Sequence, residues 1–197
     1  MGRDRAARPE AAPLRLFAAV DLPPRVRDQV DRAVDPWRER LPGGRWVKPE
    51  NWHVTVKFMG RTYPRLMDRV RDACRGTAAV IRPFRVGIEG MGVFPGPGRA
   101  RVLWVGLVDR EESLPALARA IDERLARDFP PEKRGFTPHL TVVRFNPPVP
   151  VREHADELAA MRFDVEPFRV GELVLYRSHL SPKGARYEPL ERFPFRG

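Results

Sequence analysis

Two short strings in the chain carry the same chemistry: His53-Val-Thr55 and His139-Leu-Thr141. In an extended strand, residues two apart project from one face. Each string therefore presents an imidazole beside a hydroxyl, backed by apolar side chains: Val54, Val56 and Phe58 behind the first, Leu140 and Val142 behind the second. Imidazole titrates near neutrality, so of two such groups one gives a proton while the other takes one. Opening a cyclic phosphodiester with water needs that division of labour, a base for the nucleophile and an acid for the departing ribose oxygen. Thr55 and Thr141 are short, directional donors for the non-bridging phosphate oxygens as charge builds on them. No metal is required, and no His, Asp or Glu cluster at ligand spacing accompanies the two histidines. The single cysteine, Cys74, excludes a cysteine-based zinc site and an internal disulfide; it falls on the apolar stripe of a helix and reads as core. A lone strand histidine is usually an ordinary packed side chain. A pair in matching surroundings is not.

The elements that must position the two strings also recur. LRLFAAVDL, from Leu14, is an apolar run closed by Asp21 and Pro23-Pro24. A helical stripe follows on Val26, Val30, Ala33, Val34, Trp37 and Leu41, with proline tolerated at its start, and Pro42-Gly43-Gly44 ends it. RWVKPEN then leads into the β-branched run HVTVKFMG. From Arg101 the order repeats: RVLWVGLVD, a helix with Leu114, Leu117, Ala118, Ile121 and Leu125 on one face, a stop at Pro130-Pro131, and the strand FTPHLTVVRF. One supersecondary unit is present twice. Around it fit a helix over residues 63–81, a strand over 84–89, a short helix near 151–160 and strands around 162–176 and 186–192. The pattern predicts an α+β, bilobal, duplicated fold: two mainly antiparallel sheets with outer helices and a central cleft. Residues 1–13 read as a disordered arm and 14–197 as a single bilobal domain.

The net charge of +10 and pI of about 10.8 suit a polyanionic partner, although arginine, alanine and proline are abundant throughout. No apolar run is long enough to span a membrane and the first residues lack the apolar stretch of a secretory signal, so a cytoplasmic protein is expected.

The stretches LRLFAAVDLP, RWVKPENWHVTVKFMG, FTPHLTVVRF and LYRSHLSPKGARYEPL cover about residues 14 to 191. Together they resemble the 2H phosphoesterase superfamily, and within it the RNA 2′,3′-cyclic phosphodiesterases of the ThpR/LigT type (the 2′-5′ RNA ligase family). The resemblance implies two lobes related by a pseudo-twofold axis, with the histidines facing each other across the cleft. It implies hydrolysis of RNA-terminal 2′,3′-cyclic phosphate to a 2′-phosphomonoester without a cofactor, with His53 as proton donor and His139 as proton acceptor. Thr55 and Thr141 would hold phosphate oxygens, and Arg144 would contact phosphate. RNA ends or small cyclic nucleotides are the expected partners of a monomer, with neither membrane nor protein partner implied. A 2′,5′-phosphodiesterase, a reversible 2′-5′ RNA ligase and a non-catalytic RNA-binding protein are the alternatives.

Arg144 has the opposite strand parity to His139, so a regular strand turns it away from the site unless the strand bulges or ends. Lys57 shares the His53 face, as a substrate contact or a rim charge. Phe17 and Tyr187 are candidates for stacking a nucleobase, with core packing the other reading of Phe17. Trp52 points to the opposite face and reads as packing, while His154 and His179, the latter in a loop, read as surface residues.

Overall fold

The computed structural model describes residues 12–131, 135–181 and 184–197, so nearly all of the expected N-terminal arm lies outside them. Both repeats have the expected order. The first is β1 (Leu14–Asp21), α1 (Pro24–Val34), α2 (Trp37–Arg40), the short β2 (Gly44–Trp46) and β3 (His53–Thr62). After α3 (Met67–Ala78) and β4 (Phe84–Phe94), the second is β5 (Ala100–Val108), α4 (Ser113–Leu125) and β6 (His139–Val149). The chain ends with α5 (Ala155–Ala159), β7 (Phe168–Val170), β8 (Glu172–Ser181) and β9 (Gly184–Pro194). β8 runs through to Ser181, so His179 belongs to a strand rather than the expected loop, and its Nε2 lies 2.6 Å from Glu188 Oε2 on β9.

All strand pairs are antiparallel, but the expected two sheets form one hydrogen-bonded path, β7-β4-β5-β6-β3-β1-β8-β9, with β2 on β6. Its two halves join where Val54 of β3 pairs with Leu140 of β6. The reason is burial: Val54 is 2% and Leu140 0% exposed, and two separate sheets would leave edge backbone groups beside this apolar contact without partners.

The helices are exchanged between the halves. Leu114, Leu117, Ile121 and Leu125 of α4 are fully buried, each contributing roughly 2 kcal/mol, and α4 packs on α3 and on β3 of the first repeat. The first repeat's helices reach the second half: Gln29 of α1 donates to Asp164 O (2.8 Å), and Arg40 of α2 pairs with Glu157 of α5, which packs on β4. One continuous core cluster contains Leu16, Ala18 and Val20 of β1, with Trp52, Cys74 and Leu140. Phe17 and Ala19 alternate with those residues and face the other way.

Each His-x-Thr strand carries a β-bulge just past its threonine. In β3, Ala19 pairs with Thr55 and Ala18 with Lys57, leaving Val56 unpaired; in β6, Trp104 pairs with Thr141 and Leu103 with Val143, leaving Val142 unpaired. A bulged residue flips the alternation of everything beyond it. Two expectations fall here. Phe58, expected in the core, is 40% exposed under the guanidinium of Arg15, and Lys57, expected beside His53, is 1% exposed behind the sheet. Lys57 Nζ lies 2.6 Å from Asp122 Oδ1 of α4 and donates to Pro130 O at 2.9 Å.

That ammonium ties β3 to the other repeat's helix, and its desolvation is tolerable only because both acceptors are present. Asp122→Ala is expected to lower stability by about 3 kcal/mol in denaturant unfolding, whereas the double change Lys57→Met, Asp122→Leu is expected to be nearly neutral. Equal losses for single and double variants would show that the buried charge is not the cause.

Candidate active site

Val54 and Leu140 are equivalent residues of the two repeats, each between its histidine and its threonine, and they are each other's strand partners. Antiparallel pairing of equivalent residues puts a local twofold axis through the bridge. That register sets His53 across from Thr141 and Thr55 across from His139, on the face away from Val54, Leu140 and the core. The site is thus assembled where the two halves join.

Each imidazole is held the same way. His53 Nδ1 lies 2.8 Å from Asn51 O, and His139 Nδ1 lies 2.8 Å from Thr137 O. A carbonyl only accepts, so Nδ1 carries the proton in both rings and each neutral imidazole keeps its lone pair on Nε2. Burial lowers the pKa of both. His53 is brought down to about 4, with its Nδ1 bond and the charge of Asp21 opposing the fall and Arg144 and His139 adding to it. His139 is also lowered, first by burial and then by Arg144, against the pull of its own backbone bond. Both rings are neutral in the free protein at neutral pH.

Around this shared scaffold the halves differ. His53 stacks on Phe17 (centroids 4.7 Å apart) and meets Tyr187 edge-on at 5.0 Å. Tyr176 also packs on Phe17 at 5.2 Å and lies 6.1 Å from His53, so Phe17, 3% exposed, is a buried backing for the histidine. Tyr187 stays half-buried beside a cavity of about 210 Å³ whose walls include Asp21, Asn51, His53, Tyr176 and Arg192. His139 lies outside that cavity and has Phe94 (5.1 Å) and Trp104 (6.5 Å) for neighbours. Trp52 packs as expected, 2% exposed, with its indole N–H donating to Val47 O at 3.0 Å.

Arg144 reaches the site because of the bulge. Val142 and Val143 are both fully buried, so alternation restarts out of phase and Arg144 emerges exposed on the His139 face. The amide of Val47, beside β2, donates to the carbonyl of the bulged Val142 at 2.8 Å, so the irregularity leaves no orphan there. The charge of Arg144 acts on both imidazoles. Thr55 and Thr141 are half-buried, and neither hydroxyl has a partner among the described residues. The corresponding position past the first bulge holds Phe58.

Sequence reasoning missed Asp21 and Tyr176. Asp21 is the strand partner of His53, and its carboxylate accepts the Tyr176 hydroxyl at 2.7 and 2.9 Å and Arg192 Nη1 at 3.3 Å. Burial and this bond push the tyrosine's pKa up, so it remains a donor to the carboxylate. The available signal was the apolar run ending in aspartate immediately before two prolines, which spare α1 a side-chain cap. The matching aspartate of the second repeat, Asp109, is used differently: its Oδ2 accepts the Leu114 amide at the start of α4 (2.6 Å). Among the described residues no three His, Cys, Asp or Glu side chains group as metal ligands would, and no helix is long and apolar enough to cross a membrane.

The family model for the 2′-5′ RNA ligase superfamily matches residues 23–182. The RNA 2′,3′-cyclic phosphodiesterase of Methanothermobacter thermautotrophicus is 37% identical over 91% of this chain and 98% of its own length. The protein of that name from Thermus thermophilus is 34% identical over 93% of this chain and 91% of its own. Among solved structures, TT0787 of Thermus thermophilus superposes with a TM-score of 0.79 at 28% identity, covering 93% of this chain and 99% of that one. LigT of Escherichia coli complexed with 3′-AMP superposes with a TM-score of 0.67 at 26% identity, covering 93% and 98%. The paired His-x-Thr strands, their curled antiparallel sheet and these likenesses agree: the chain belongs to the 2′-5′ RNA ligase superfamily.

Proposed function

We propose that the protein hydrolyses RNA-terminal 2′,3′-cyclic phosphate to a 2′-phosphomonoester, with no metal or cofactor, as a two-histidine general acid–base catalyst. The observation that carries this reading is the Val54–Leu140 pair, which brings two Nε2 atoms with the same tautomer to one face of the sheet. The half-sheets on either side act as lobes flanking a shared phosphate. Relatives that the chain matches over nearly their whole length are named RNA 2′,3′-cyclic phosphodiesterase, and one neighbour was solved with 3′-AMP.

In this mechanism His139 Nε2 removes a proton from water as it attacks phosphorus. The P–O3′ bond breaks, His53 protonates the departing O3′, and the phosphate stays on O2′. Each positioned proton transfer is worth about 10²–10⁴ in rate. Thr55, Thr141 and Arg144 hold the non-bridging oxygens, where one well-aimed donor is worth about 10²–10³. An imidazole with a pKa of about 4 is a poor acid reservoir in the empty site. The bound phosphate anion supplies the correction, because a negative charge beside His53 favours its protonated form and raises that pKa. Substrate binding therefore charges the acid that the reaction uses. The superfamily's name also favours a second reading, cleavage or reversible formation of 2′-5′ linkages by the same two imidazoles, and product analysis on a 2′-5′-linked against a cyclic-ended oligonucleotide separates the two.

His53→Ala and His139→Ala are each expected to reduce turnover of a cyclic-ended oligonucleotide by about 10²–10⁴ while RNA affinity changes little; turnover that survives either change overturns the mechanism, and a wild-type protein that binds without turnover is a binding module. NMR titration is expected to find His53 near pKa 4 in the free protein and higher with inorganic phosphate bound. Accordingly the bell-shaped kcat profile should lie at higher pH than that of kcat/KM; coincident bells would sink the charging step. Activity should be indifferent to a chelator.

A further inference from the structure

The cavity beside His53 does not end at the histidine. It shares Asp21, Arg27 and Arg192 with a second cavity of about 420 Å³, whose far wall is formed by Arg169, Gly171 and the start of α1. The carboxylates of this region are already engaged. Arg192 Nη1 lies 3.3 Å from Asp21 and 2.5 Å from Glu172, and Asp21 also accepts the Tyr176 hydroxyl. Arg27 and Arg169 form no ion pair with any carboxylate among the described residues, and Arg27 Nε is out of solvent without a hydrogen-bond partner. Arg169 folds back over Gly171, where a Cβ would come within 2.6 Å of its Nη1. α1 adds the positive end of its dipole, with no side-chain cap at its first turn. The outer cavity's lining therefore sets three guanidinium groups against two carboxylates, one positive charge in excess, with Arg27 and Arg169 outside any ion pair among the described residues.

The stereochemistry of the reaction sets what reaches them. In an in-line displacement, water attacks phosphorus from the side opposite O3′. O3′ stays attached to the ribose, so with water at His139 and O3′ at His53 the nucleoside lies on the His53 side. The chain 5′ to it continues past the inner cavity. We propose that the outer cavity, through Arg27 and Arg169, binds the 5′-phosphate of the terminal nucleotide, the phosphodiester that precedes it in an RNA strand. This rests on the His53 and His139 roles proposed above. It makes the protein a reader of the nucleotide's other end: a cyclic phosphate on a phosphorylated or internal ribose is preferred to one on a bare nucleoside. Remote binding of this kind lowers KM more than it changes kcat.

The test compares three substrates on the full chain: adenosine 2′,3′-cyclic phosphate with a 5′-hydroxyl, the same nucleotide with a 5′-phosphate, and a diadenylate ending in the cyclic phosphate. The wild-type protein is expected to have KM lower by about tenfold or more for the second and third, as one charge-assisted contact to phosphate provides. In Arg169→Ala and Arg27→Gln the ratio of kcat/KM with and without the 5′-phosphate should fall towards one. A wild-type ratio near one, with all three substrates hydrolysed, overturns the subsite and leaves the catalytic reading standing. A wild-type preference that both variants retain places the phosphate elsewhere and also overturns it. If none of the three is hydrolysed, the catalytic reading fails and the subsite with it.

Discussion

One backbone pairing governs the rest of this molecule, the bridge between Val54 and Leu140. It joins equivalent residues of a duplicated unit, so it creates the local twofold axis and the shared face at once. Both side chains are buried, and the apolar contact fixes the register that sets each imidazole across from the other strand's threonine. A slip of one residue would turn the histidine and the threonine of the slipped strand into the core. Neither repeat holds a complete site.

Around that axis the copies have diverged in ways that give the site a direction. Asp109 remains a helix cap, whereas Asp21, relieved of that task by the prolines after it, meets Tyr176 and Arg192 beside His53. Past the bulges, one repeat carries Arg144 and the other Phe58. His53 sits within an aromatic shell and is the more strongly depressed imidazole; His139 is its less enclosed counterpart. Symmetry supplies two like groups, and the departures from it give them unlike surroundings.

Much of this was legible in the strands themselves. The alternation around His53 and His139 follows from the period of an extended chain, and the recurrence of helix stripe and strand exposed the duplication. What could not be read were the bulges. Val142 and Val143 are both apolar, so nothing in their types reveals that one is skipped in the pairing, and Arg144 consequently had the wrong parity on paper. The same blindness misplaced Lys57 and Phe58, whose positions depend on the irregularity at Val56. The merging of two sheets into one path escaped for a related reason: a short apolar strand does not record whether its neighbour comes from the same repeat. Asp21 looked like punctuation because its partners, Tyr176 and Arg192, are more than a hundred residues away along the chain.

The exchange of helices has its own consequence. α4 covers β3 through a stripe of buried leucines and the Lys57–Asp122 tie, while α1 and α2 lean on the far half. Each repeat is thus roofed by the other and lacks a core to stand on alone. Buried residues of both halves belong to one continuous core cluster, and the Val54–Leu140 pair lies within it. On the first repeat's side, β9, paired with β8, sets Tyr187 edge-on against His53.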